Sequence, residues 1–464
     1  MERIGMKIVK KYEGKKVLVL GLAKSGFNAA KLLKKLGAYV TVNDKQNFDD
    51  SVDAQKLLSE GIKVISGSHP LSLLDEGFTL IVKNPGIPYD NPIVKGALER
   101  KIPIITEIEL ASEVSEAQLV AVTGSNGKTT TTTMITKMLN QERTTGQSYD
   151  AGNIGIPASQ VAQKVTKADS LVLEVSSFML LGITQFHPHI AVLTNIFSNH
   201  LDYHKTRENY VRAKMRITMN QTDQDYFVVN FDNKEWRDLS KQTKAKVIPF
   251  SRLDVDETGA YEKSGKLYWR DDFIMMADEI KVPGDHNVEN ALAAIAVAKI
   301  EGKTNTAIKH VLTTFGGVRH RTQYVLTAEG RQYYNDSKAT DIEATEMALK
   351  GFKQPVILLA GGLDRGYVFD KLVPSFKEHV KGIVLFGQTD KLLEDAAKKA
   401  GVKSIVFAKN VKDGVPKAFE LSDSGDIILL SPANASWDQY PNFEVRGDEF
   451  IEAVEELTGE KEEK

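Results

Sequence analysis

The clearest chemical signal in the sequence is a glycine-rich segment that carries a lysine and two threonines. It reads Gly124-Ser125-Asn126-Gly127-Lys128-Thr129-Thr130, and it lies between an apolar run and a stretch typical of a helix. Backbone N–H groups in such a turn, together with the helix dipole, bind phosphate. We expect Lys128 to reach the β- and γ-phosphates and Thr129 to bind Mg²⁺. Val122 stands where the full phosphate-loop pattern has its first glycine, so this is a shortened form.

Two further polar residues follow predicted buried strands. Glu174 ends the apolar run 171–173, and His200 follows the apolar run 190–193. Carboxyl ends of parallel strands meet at one edge of a sheet, which is also where the phosphate loop must lie. Each residue alone would more often be structural, but their shared edge with Lys128 favours a Mg²⁺ site beside the γ-phosphate.

The N-terminal region carries an incomplete dinucleotide fingerprint. Gly21 and Gly26 are correctly spaced and Asp44 ends the next predicted strand, but Ala23 replaces the second glycine. That glycine lets the backbone approach a pyrophosphate, so a redox dinucleotide is disfavoured. A bound diphosphate and a plain tight turn both remain open.

Cationic side chains in the last third of the sequence suggest an anionic co-substrate. Lys338 and Arg365 each follow a predicted strand, although solvated loop charge is the alternative.

Two asparagines earlier in the chain, Asn287 and Asn290, are three residues apart on one predicted helix. Their two amides could read a base edge, or they could simply accompany a helix cap at Asp285. Nothing in its spacing distinguishes Lys214 from an exposed helical lysine.

Short apolar runs alternate with helical patterns along most of the chain, which predicts an α/β protein with parallel sheets. We expect three domains with boundaries at 1–107, 108–317 and 318–464. The first and third are predicted to be Rossmann-like, and the second to be a central P-loop ATPase-type domain with a small antiparallel β addition. Between about residues 227 and 281 the pattern has period two, and residues 261–276 predict a β-hairpin that turns at 263–265.

Composition excludes several classes of protein. The 464 residues carry 60 basic and 62 acidic side chains, so no net field favours nucleic acid or anionic membrane. The absence of cysteine excludes disulfides, thiolate metal sites and cysteine nucleophiles. No run approaches the ~18 apolar residues of a membrane span, and residues 1–16 lack the apolar core of a secretory signal. We therefore expect a cytoplasmic protein with a frayed tail at 455–464, and we expect it to be a monomer.

Six motifs together resemble the ATP-dependent Mur ligases. They are residues 123–130 (TGSNGKTT), 152–155 (GNIG), 173–178 (LEVSSF), 199–202 (NHLD), 335–340 (NDSKAT) and 431–440 (SPANASWDQY). The last two resemble in particular the family members that add D-glutamate. The resemblance runs from about Val17 to Arg446, and the shortened phosphate loop is the family's own form.

The resemblance implies a reaction and its reactants. ATP would phosphorylate the carboxylate of UDP-N-acetylmuramoyl-L-alanine to an acyl phosphate, and the amine of D-glutamate would displace phosphate to form an amide. The three predicted domains would then bind the UDP-sugar, ATP and the amino acid, in chain order. Two Mg²⁺ ions and a carbamylated Lys214 are implied as well.

The resemblance also assigns site residues. Catalytic roles would belong to Lys128, His200, Lys214 and Lys338, and metal binding to Thr129, Glu174, His200 and Lys214. ATP would contact Gly124, Ser125, Asn126, Gly127, Lys128, Thr129, Thr130, Asn287, Asn290, Arg321 and Asp336. The UDP-sugar would contact Ser25, Asp44, Lys45, Asn84, Gly86 and Asn153. D-glutamate would contact Lys338, Thr340, Arg365, Ser436 and Phe443.

Three other functions compete with this hypothesis. Sister ligases add a different amino acid, or add glutamate to folate. A phosphate-loop switch would hydrolyse nucleotide without an amino acid, but it would give the motifs at 335–340 and 431–440 no role. An NAD-linked oxidoreductase is disfavoured by Ala23.

Overall fold

The computed structural model describes residues 6–197 and 199–463, which form three sheets flanked by helices. The chain divides into two compact units. One runs up to Ala277 and includes Glu289–Val311, and the other combines Asp278–Val288 with the chain from Leu312 onward. None of the helices in the described ranges has both the length and the apolar character needed to cross a bilayer.

The first sheet is parallel and has the strand order of a Rossmann fold. Its strands are β1 (Lys16–Leu20), β2 (Tyr39–Asp44), β3 (Lys63–Ser66), β4 (Leu80–Lys83) and β5 (Ile104–Ile105), in the order β3-β2-β1-β4-β5. Helices α1 (Lys24–Lys35), α2 (Val52–Ser59) and α3 (Pro92–Glu99) follow β1, β2 and β4, and a 3-10 helix (Leu71–Glu76) joins β3 to β4. A Cβ at Gly26 would come within 1.9 Å of the Gly21 carbonyl oxygen, so helix α1 can pack this close only with glycine there. The predicted Rossmann-like N-terminal architecture is confirmed.

The second sheet has the order β14-β13-β12-β11-β10-β9-β6-β8-β7. Its strands are β6 (Gln118–Thr123), β7 (Ser148–Gly152), β8 (Ser170–Glu174), β9 (Ile190–Leu193), β10 (Tyr226–Asn230), β11 (Lys246–Ser251), β12 (Ala260–Lys263), β13 (Lys266–Trp269) and β14 (Asp272–Met276). Helices in this part of the chain are α4 (Glu107–Val114), α5 (Lys128–Asn140), α6 (Ala158–Ala162), α7 (Ser177–Leu180), α8 (Leu201–His204), α9 (Arg207–Met215), α10 (Lys234–Ser240), α11 (Asp285–Ile300) and α12 (Asn305–Thr314). The phosphate-loop segment joins β6 to α5, as the central α/β prediction requires.

The period-two interpretation of residues 227–281 is wrong in its first half. Strands β10 and β11 pair in parallel, and residues 227–230 of β10 are buried, as in the middle of a parallel sheet. The antiparallel addition begins only at β12, and its first hairpin turns at Ser264 and Gly265, both with positive φ. A second turn then adds β14, so the predicted hairpin is a three-stranded meander.

The third sheet is parallel apart from one edge strand that the sequence analysis missed. Its strands are β15 (Gln323–Ala328), β16 (Arg331–Asn335), β17 (Val356–Gly361), β18 (Val380–Phe386), β19 (Ser404–Phe407) and β20 (Ile427–Leu430), in the order β15-β16-β20-β17-β18-β19. The antiparallel strand is β15. Helices α13 (Ile342–Lys350), α14 (Val373–His379), α15 (Asp390–Ala400), α16 (Val411–Leu421) and α17 (Phe443–Thr458) flank the sheet.

The frayed tail predicted at 455–464 is wrong over most of its length. Helix α17 runs to Thr458, and the Glu463 N–H donates to the Val325 carbonyl at 2.8 Å, which ties the tail to strand β15. Lys464 lies outside the described residues. A highly charged composition indicated solvent exposure here, but it did not reveal that the backbone has a partner.

Candidate functional site

The phosphate loop has a backbone that requires its two glycines. Gly124 has φ +154° and Gly127 has φ +79°. A Cβ would come within 1.9 Å of the Thr194 Oγ1 at Gly124 and within 2.1 Å of the Asn290 Oδ1 at Gly127. The loop therefore turns tightly and directs the start of α5, with its N–H groups and positive dipole end, toward an anion.

Residues after β9, which the sequence analysis did not single out, hold this loop in place. The Asn195 Oδ1 accepts from the Asn126 N–H at 2.8 Å, and the Thr194 Oγ1 donates to the Asn126 carbonyl at 2.7 Å. The Ser125 Oγ lies 2.9 Å from the Tyr210 hydroxyl. These contacts come from segments far along the chain, so spacing within the motif could not reveal them.

Glu174 lies directly beside the phosphate loop. The Thr129 Oγ1 donates to its Oε2 at 2.7 Å, and the Asn153 Nδ2 donates to its Oε1 at 2.6 Å. Glu174 is only 1% exposed, and within residues 6–197 and 199–463 no basic side chain forms an ion pair with it. A buried carboxylate with only neutral partners is poorly stabilised unless a cation joins it. Asn153, assigned by resemblance to the UDP-sugar, is thus placed at the carboxylate predicted to bind metal.

Lys214 is buried, although nothing in its spacing along the sequence distinguishes it from an exposed helical lysine. It lies on α9 and is 2% exposed, and its Nζ donates to the Gly124 carbonyl at 2.7 Å. Its Nζ also lies 4.6 Å from the centre of the Tyr210 ring. Burial, together with the positive charge of Lys128, holds the pKa of Lys214 well below its usual value. Helix α9 is polar enough to look exposed from sequence, and only the fold shows which face meets the phosphate loop.

Lys128 and His200 complete this part of the site. The Lys128 Nζ donates to the carbonyls of Gly124 and Ser125 at 3.0 and 2.9 Å, which places its ammonium inside the loop. His200 has φ +54° at the start of α8, and its ring meets the Phe178 ring edge-on at 4.9 Å. Partial burial, and then the charges of Lys128 and Lys214, lower the pKa of His200. A neutral imidazole is the form that binds metal.

The two asparagines of α11 have different partners. The Asn290 Oδ1 accepts from the Thr131 Oγ1 at 3.2 Å, which places Asn290 against the first turn of the phosphate-loop helix. The Asn287 Nδ2 donates to the Pro283 carbonyl at 2.7 Å, and both asparagine side chains are buried. Asn290 thus shares the site of the phosphate loop, whereas Asn287 supports the backbone that leads into its helix.

Five of the six residues predicted to hold the UDP-sugar lie at or just after the carboxyl ends of β1, β2 and β4, and Asn153 is the exception. Asp44 accepts from the Leu22 N–H at 2.6 Å and from the Gln46 N–H at 2.8 Å, and so joins the first βα turn to the end of β2. The Asn84 Nδ2 donates to the Ser25 Oγ at 3.0 Å, and the Asn84 Oδ1 accepts from the Gly86 N–H at 3.0 Å. Lys45 is exposed beside them. This edge of an open parallel sheet is the usual place for a ligand.

In the second unit, Asp336 is a buried carboxylate at the end of β16. Its Oδ1 accepts from the Thr322 N–H at 2.9 Å, and its Oδ2 accepts from the Ser431 Oγ at 2.8 Å. Burial raises its pKa to about 7, against the lowering effects of those hydrogen bonds and of nearby Arg321. Asp336 and Arg321, both assigned to ATP by resemblance, therefore lie near each other.

The residues predicted to bind D-glutamate follow three adjacent strands of the third sheet. Lys338 and Thr340 follow β16, Ser436 follows β20, and Arg365 follows β17. The Lys338 Nζ lies 3.7 Å from the centre of the Phe443 ring, and exposed Arg365 lies over Tyr367. Ser436 is 2% exposed, and its Oγ has no hydrogen-bond partner among the described residues. An unpaired buried hydroxyl is costly, which is consistent with a place for a polar ligand.

Comparison with protein families gives three matches along the chain. Residues 15–106 match the Mur ligase MurD-like N-terminal domain, residues 122–298 the Mur ligase middle domain, and residues 320–434 the Mur ligase glutamate ligase domain. The resemblance stated from the motifs is confirmed.

Full-length relatives and solved structures agree with these matches. A UDP-N-acetylmuramoylalanine–D-glutamate ligase of Lactiplantibacillus plantarum is 65% identical over 99% of this chain and all of its own length. The enzyme of the same name from Ligilactobacillus salivarius is 64% identical over the same shares. Among solved structures, UDP-N-acetylmuramate-alanine ligase from Thermotoga maritima superposes with a TM-score of 0.58 at 18% identity, covering 95% of this chain and 99% of that chain. That likeness concerns the fold.

Proposed function

This chain belongs to the Mur ligase family, and from that membership we propose that it joins D-glutamate to UDP-N-acetylmuramoyl-L-alanine at the expense of ATP. It is an enzyme of peptidoglycan precursor synthesis. The structural observation that carries the proposal is the meeting of Lys128, Thr129 and Glu174 at one edge of the central sheet. These three residues suit phosphoryl transfer, in which the protein positions the reactants and stabilises charge rather than forming covalent bonds itself.

The reaction balances in two steps. The carboxylate of the UDP-sugar substrate attacks the γ-phosphorus of ATP, which releases ADP and gives an acyl phosphate. The neutral amine of D-glutamate then attacks the acyl carbon, and the tetrahedral intermediate loses inorganic phosphate and a proton to leave an amide. Lys128 and the N–H groups at the start of α5 stabilise the charge that develops on the transferred phosphoryl oxygens.

The residues around Glu174 fit Mg²⁺. A hard cation prefers oxygen ligands, and Glu174 and Thr129 offer a buried carboxylate and a hydroxyl in contact with each other. Thr129 and Glu174 would hold a first ion, and His200 with modified Lys214 a second. Mg²⁺, when bound, neutralises phosphate charge and so lowers the barrier to attack. Asn195 and Thr194 have a different role, because their hydrogen bonds to the Asn126 backbone orient the phosphate loop.

Carbamylation of Lys214 is part of the proposal. The neutral amine attacks CO₂, which forms an N–C bond and releases a proton, and the product carries a negatively charged carbamate in place of the neutral amine. Burial beside Lys128 lowers the pKa of Lys214 and so favours the neutral amine that this step needs. A negatively charged carbamate there would also be attracted to the Lys128 ammonium.

We assign the remaining substrate-binding residues to three proposed domains, residues 1–107, 108–317 and 318–464. Ser25, Asp44, Lys45, Asn84 and Gly86 would hold the UDP-sugar, and Asn153 would link it to the metal ligands. Asn287, Asn290, Arg321 and Asp336 would contact the adenosine part of ATP. Lys338, Thr340, Arg365, Ser436 and Phe443 would bind D-glutamate. We propose that the protein acts as a monomer in the cytoplasm, where ATP and nucleotide sugars are available.

One assay tests this function. Purified protein is given ATP, Mg²⁺ and UDP-N-acetylmuramoyl-L-alanine with a panel of D- and L-amino acids, and phosphate release is measured. Release that depends on both the UDP-sugar and D-glutamate supports the proposal. Equal release without any amino acid would indicate a nucleotide switch, and release with a different amino acid would indicate a sister ligase.

A further inference from the structure

A buried lysine lies at the centre of the loop predicted to hold the UDP-sugar. Lys83 ends β4 and is 1% exposed. Its Nζ lies 3.1 Å from the Asn84 carbonyl, 3.3 Å from the Pro85 carbonyl and 2.6 Å from the Ile87 carbonyl. Residues 84–87 therefore wrap around a single ammonium group.

A fourth oxygen near this ammonium comes from helix α8, in the part of the same unit that carries the second sheet. The Tyr203 hydroxyl lies 3.2 Å from the Lys83 Nζ, 3.1 Å from the Pro85 carbonyl and 3.0 Å from the Ile87 carbonyl. A hydroxyl has one hydrogen, so it accepts from Lys83 and donates to one carbonyl at a time. Tyr203 lies on α8, the helix that begins just after His200.

Ring packing extends the connection toward the metal ligands. The Tyr203 ring lies 4.5 Å from the Phe178 ring, and the Phe178 ring lies 4.9 Å from that of His200. Phe178 lies on α7, a few residues after Glu174. The loop at 84–87 is thus linked through Lys83 and Tyr203 to the segment that carries His200.

Burying a lysine at this position costs folding free energy, so a purely structural role does not explain it. Among residues 6–197 and 199–463 no carboxylate pairs with Lys83, and burial lowers its pKa to about 7. A methionine of similar length would fill the space without burying a charge. An apolar side chain could not form these directional contacts: the three N–H donors of the ammonium can hold any three of the four surrounding oxygens at a time, and so keep the loop and the Tyr203 hydroxyl together.

We propose that Lys83 and Tyr203 are positioning residues that hold the UDP-sugar loop against the His200 segment, so that a bound UDP-sugar presents its carboxylate at the phosphate loop. This inference rests on the proposed function and adds two residues to it. Neither side chain needs to touch a reacting atom. Their effect is on how the substrate carboxylate is aligned, and small misplacements of reacting groups cost much rate.

A double-mutant cycle tests the proposal with Lys83→Met, Tyr203→Phe and the double variant in the full-length enzyme. KM for each substrate, kcat and melting temperature are measured. Hydrogen bonds to a charged group are worth roughly 10- to 150-fold in an equilibrium. We expect each single change to raise KM for UDP-N-acetylmuramoyl-L-alanine by at least ~10-fold and to lower kcat, with KM for ATP changed by less than ~2-fold. The double variant should be no worse than the poorer single variant, because both remove one shared connection.

Two matched changes serve as controls. Lys95→Met removes an exposed lysine of α3, and Tyr149→Phe removes a tyrosine hydroxyl on β7 that donates to the Gln147 Oε1. Neither side chain takes part in the contacts between residues 83–87 and Tyr203, so neither change should alter KM for the UDP-sugar. Tyr203→Phe removes one oxygen and keeps the ring on Phe178, so it remains informative if Lys83→Met does not fold.

The outcomes separate this inference from the proposed function. If wild-type enzyme shows no turnover with the UDP-sugar and D-glutamate, the proposed function fails. If wild type is active but the variants lower only the melting temperature and leave KM for the UDP-sugar unchanged, Lys83 and Tyr203 are structural and the inference is overturned. Fully additive losses in the double variant would also overturn it.

Discussion

The Lys214 ammonium lies 2.7 Å from the carbonyl oxygen of Gly124, the same oxygen that Lys128 contacts at 3.0 Å. Two lysines thus approach one turn of the phosphate loop, and one of them is almost completely buried. Two like charges this close are unfavourable in a site that must also attract substrate. The repulsion between the two charges disappears when Lys214 loses its proton, and the neutral amine is then available to react with CO₂.

We expect Lys214→Ala to abolish turnover and to retain the fold. A carbamate acts as a carboxylate ligand, so a small carboxylic acid such as acetate should restore part of the activity by occupying the same position. Intact-mass spectrometry is too harsh for a carbamate, and ¹³C NMR of enzyme in ¹³C-bicarbonate is the direct measurement. Arg212→Ala, an exposed cation on the same helix, is the control. Full activity of Lys214→Ala would refute the carbamate.

Lys128→Ala should lower turnover by at least ~10³-fold, because Lys128 stabilises charge that develops on the phosphoryl group. Binding of the UDP-sugar, measured by calorimetry without ATP, should persist since its proposed residues lie mainly on the first sheet. Lys137→Ala changes an exposed lysine of the same helix α5 and should leave both quantities unchanged. Near-normal phosphate release by Lys128→Ala would rule out its role.

Glu174→Gln should raise the Mg²⁺ concentration needed for half-maximal activity by at least ~10-fold. The amide keeps the size of the side chain and can still accept from Thr129, so the change removes mainly the charge that binds the cation. The measurement is a Mg²⁺ titration of turnover at saturating ATP. Glu208→Gln removes an exposed carboxylate on α9 and is the control. An unchanged Mg²⁺ requirement would count against Glu174 as a ligand.

Asp336 should make the stability of the protein depend on pH. Its pKa of about 7 lies above the ordinary 3.8, so between these values the folded state keeps a proton that the unfolded state has released. Stability contributed by this group is therefore present at low pH and is lost as the pH rises toward 7. A shift of three pKa units corresponds to about 4 kcal/mol at most.

The isosteric change Asp336→Asn isolates that effect, because an amide can keep the contacts to Thr322 and Ser431 without titrating. Urea unfolding of both proteins at several pH values is the measurement. We expect the free energy of unfolding of wild type, relative to the variant, to fall between pH 4 and pH 7. Parallel pH profiles would show that the carboxyl group is already ionised at low pH in the folded state.

Local patterns predicted the elements that carry the site, and they failed where tertiary contacts decide. The phosphate loop was predictable because strand, glycines, lysine and helix are consecutive in the sequence. The burial of Lys214 was not, because α9 is polar and only its packing against Gly124 distinguishes one face. The parallel pairing of β10 with β11 was missed because alternation and continuous burial are hard to separate in runs of five residues. Lys83 and Tyr203 meet from positions 120 residues apart, which no local pattern records.

The final prediction concerns D-glutamate and begins with Lys338 and Arg365, which follow strands on either side of β20. A dicarboxylate amino acid must direct its amine at the acyl phosphate, so both of its carboxylates need fixed partners, while Ser436 supplies a neutral donor. Charge-assisted hydrogen bonds are worth roughly 1.5–3 kcal/mol, or about 10- to 150-fold. Arg365→Ala should raise KM for D-glutamate by that factor and leave KM for ATP almost unchanged, whereas Lys377→Ala, which removes an exposed lysine of α14, should change neither.

The same pocket should distinguish the two enantiomers of glutamate. Inversion at Cα moves the amine away while the side chain stays bound, so L-glutamate should be a very poor substrate. Phosphate release with each enantiomer decides the matter: equal use of L-glutamate, or an Arg365 effect confined to ATP, would show that this pocket does not bind D-glutamate as proposed.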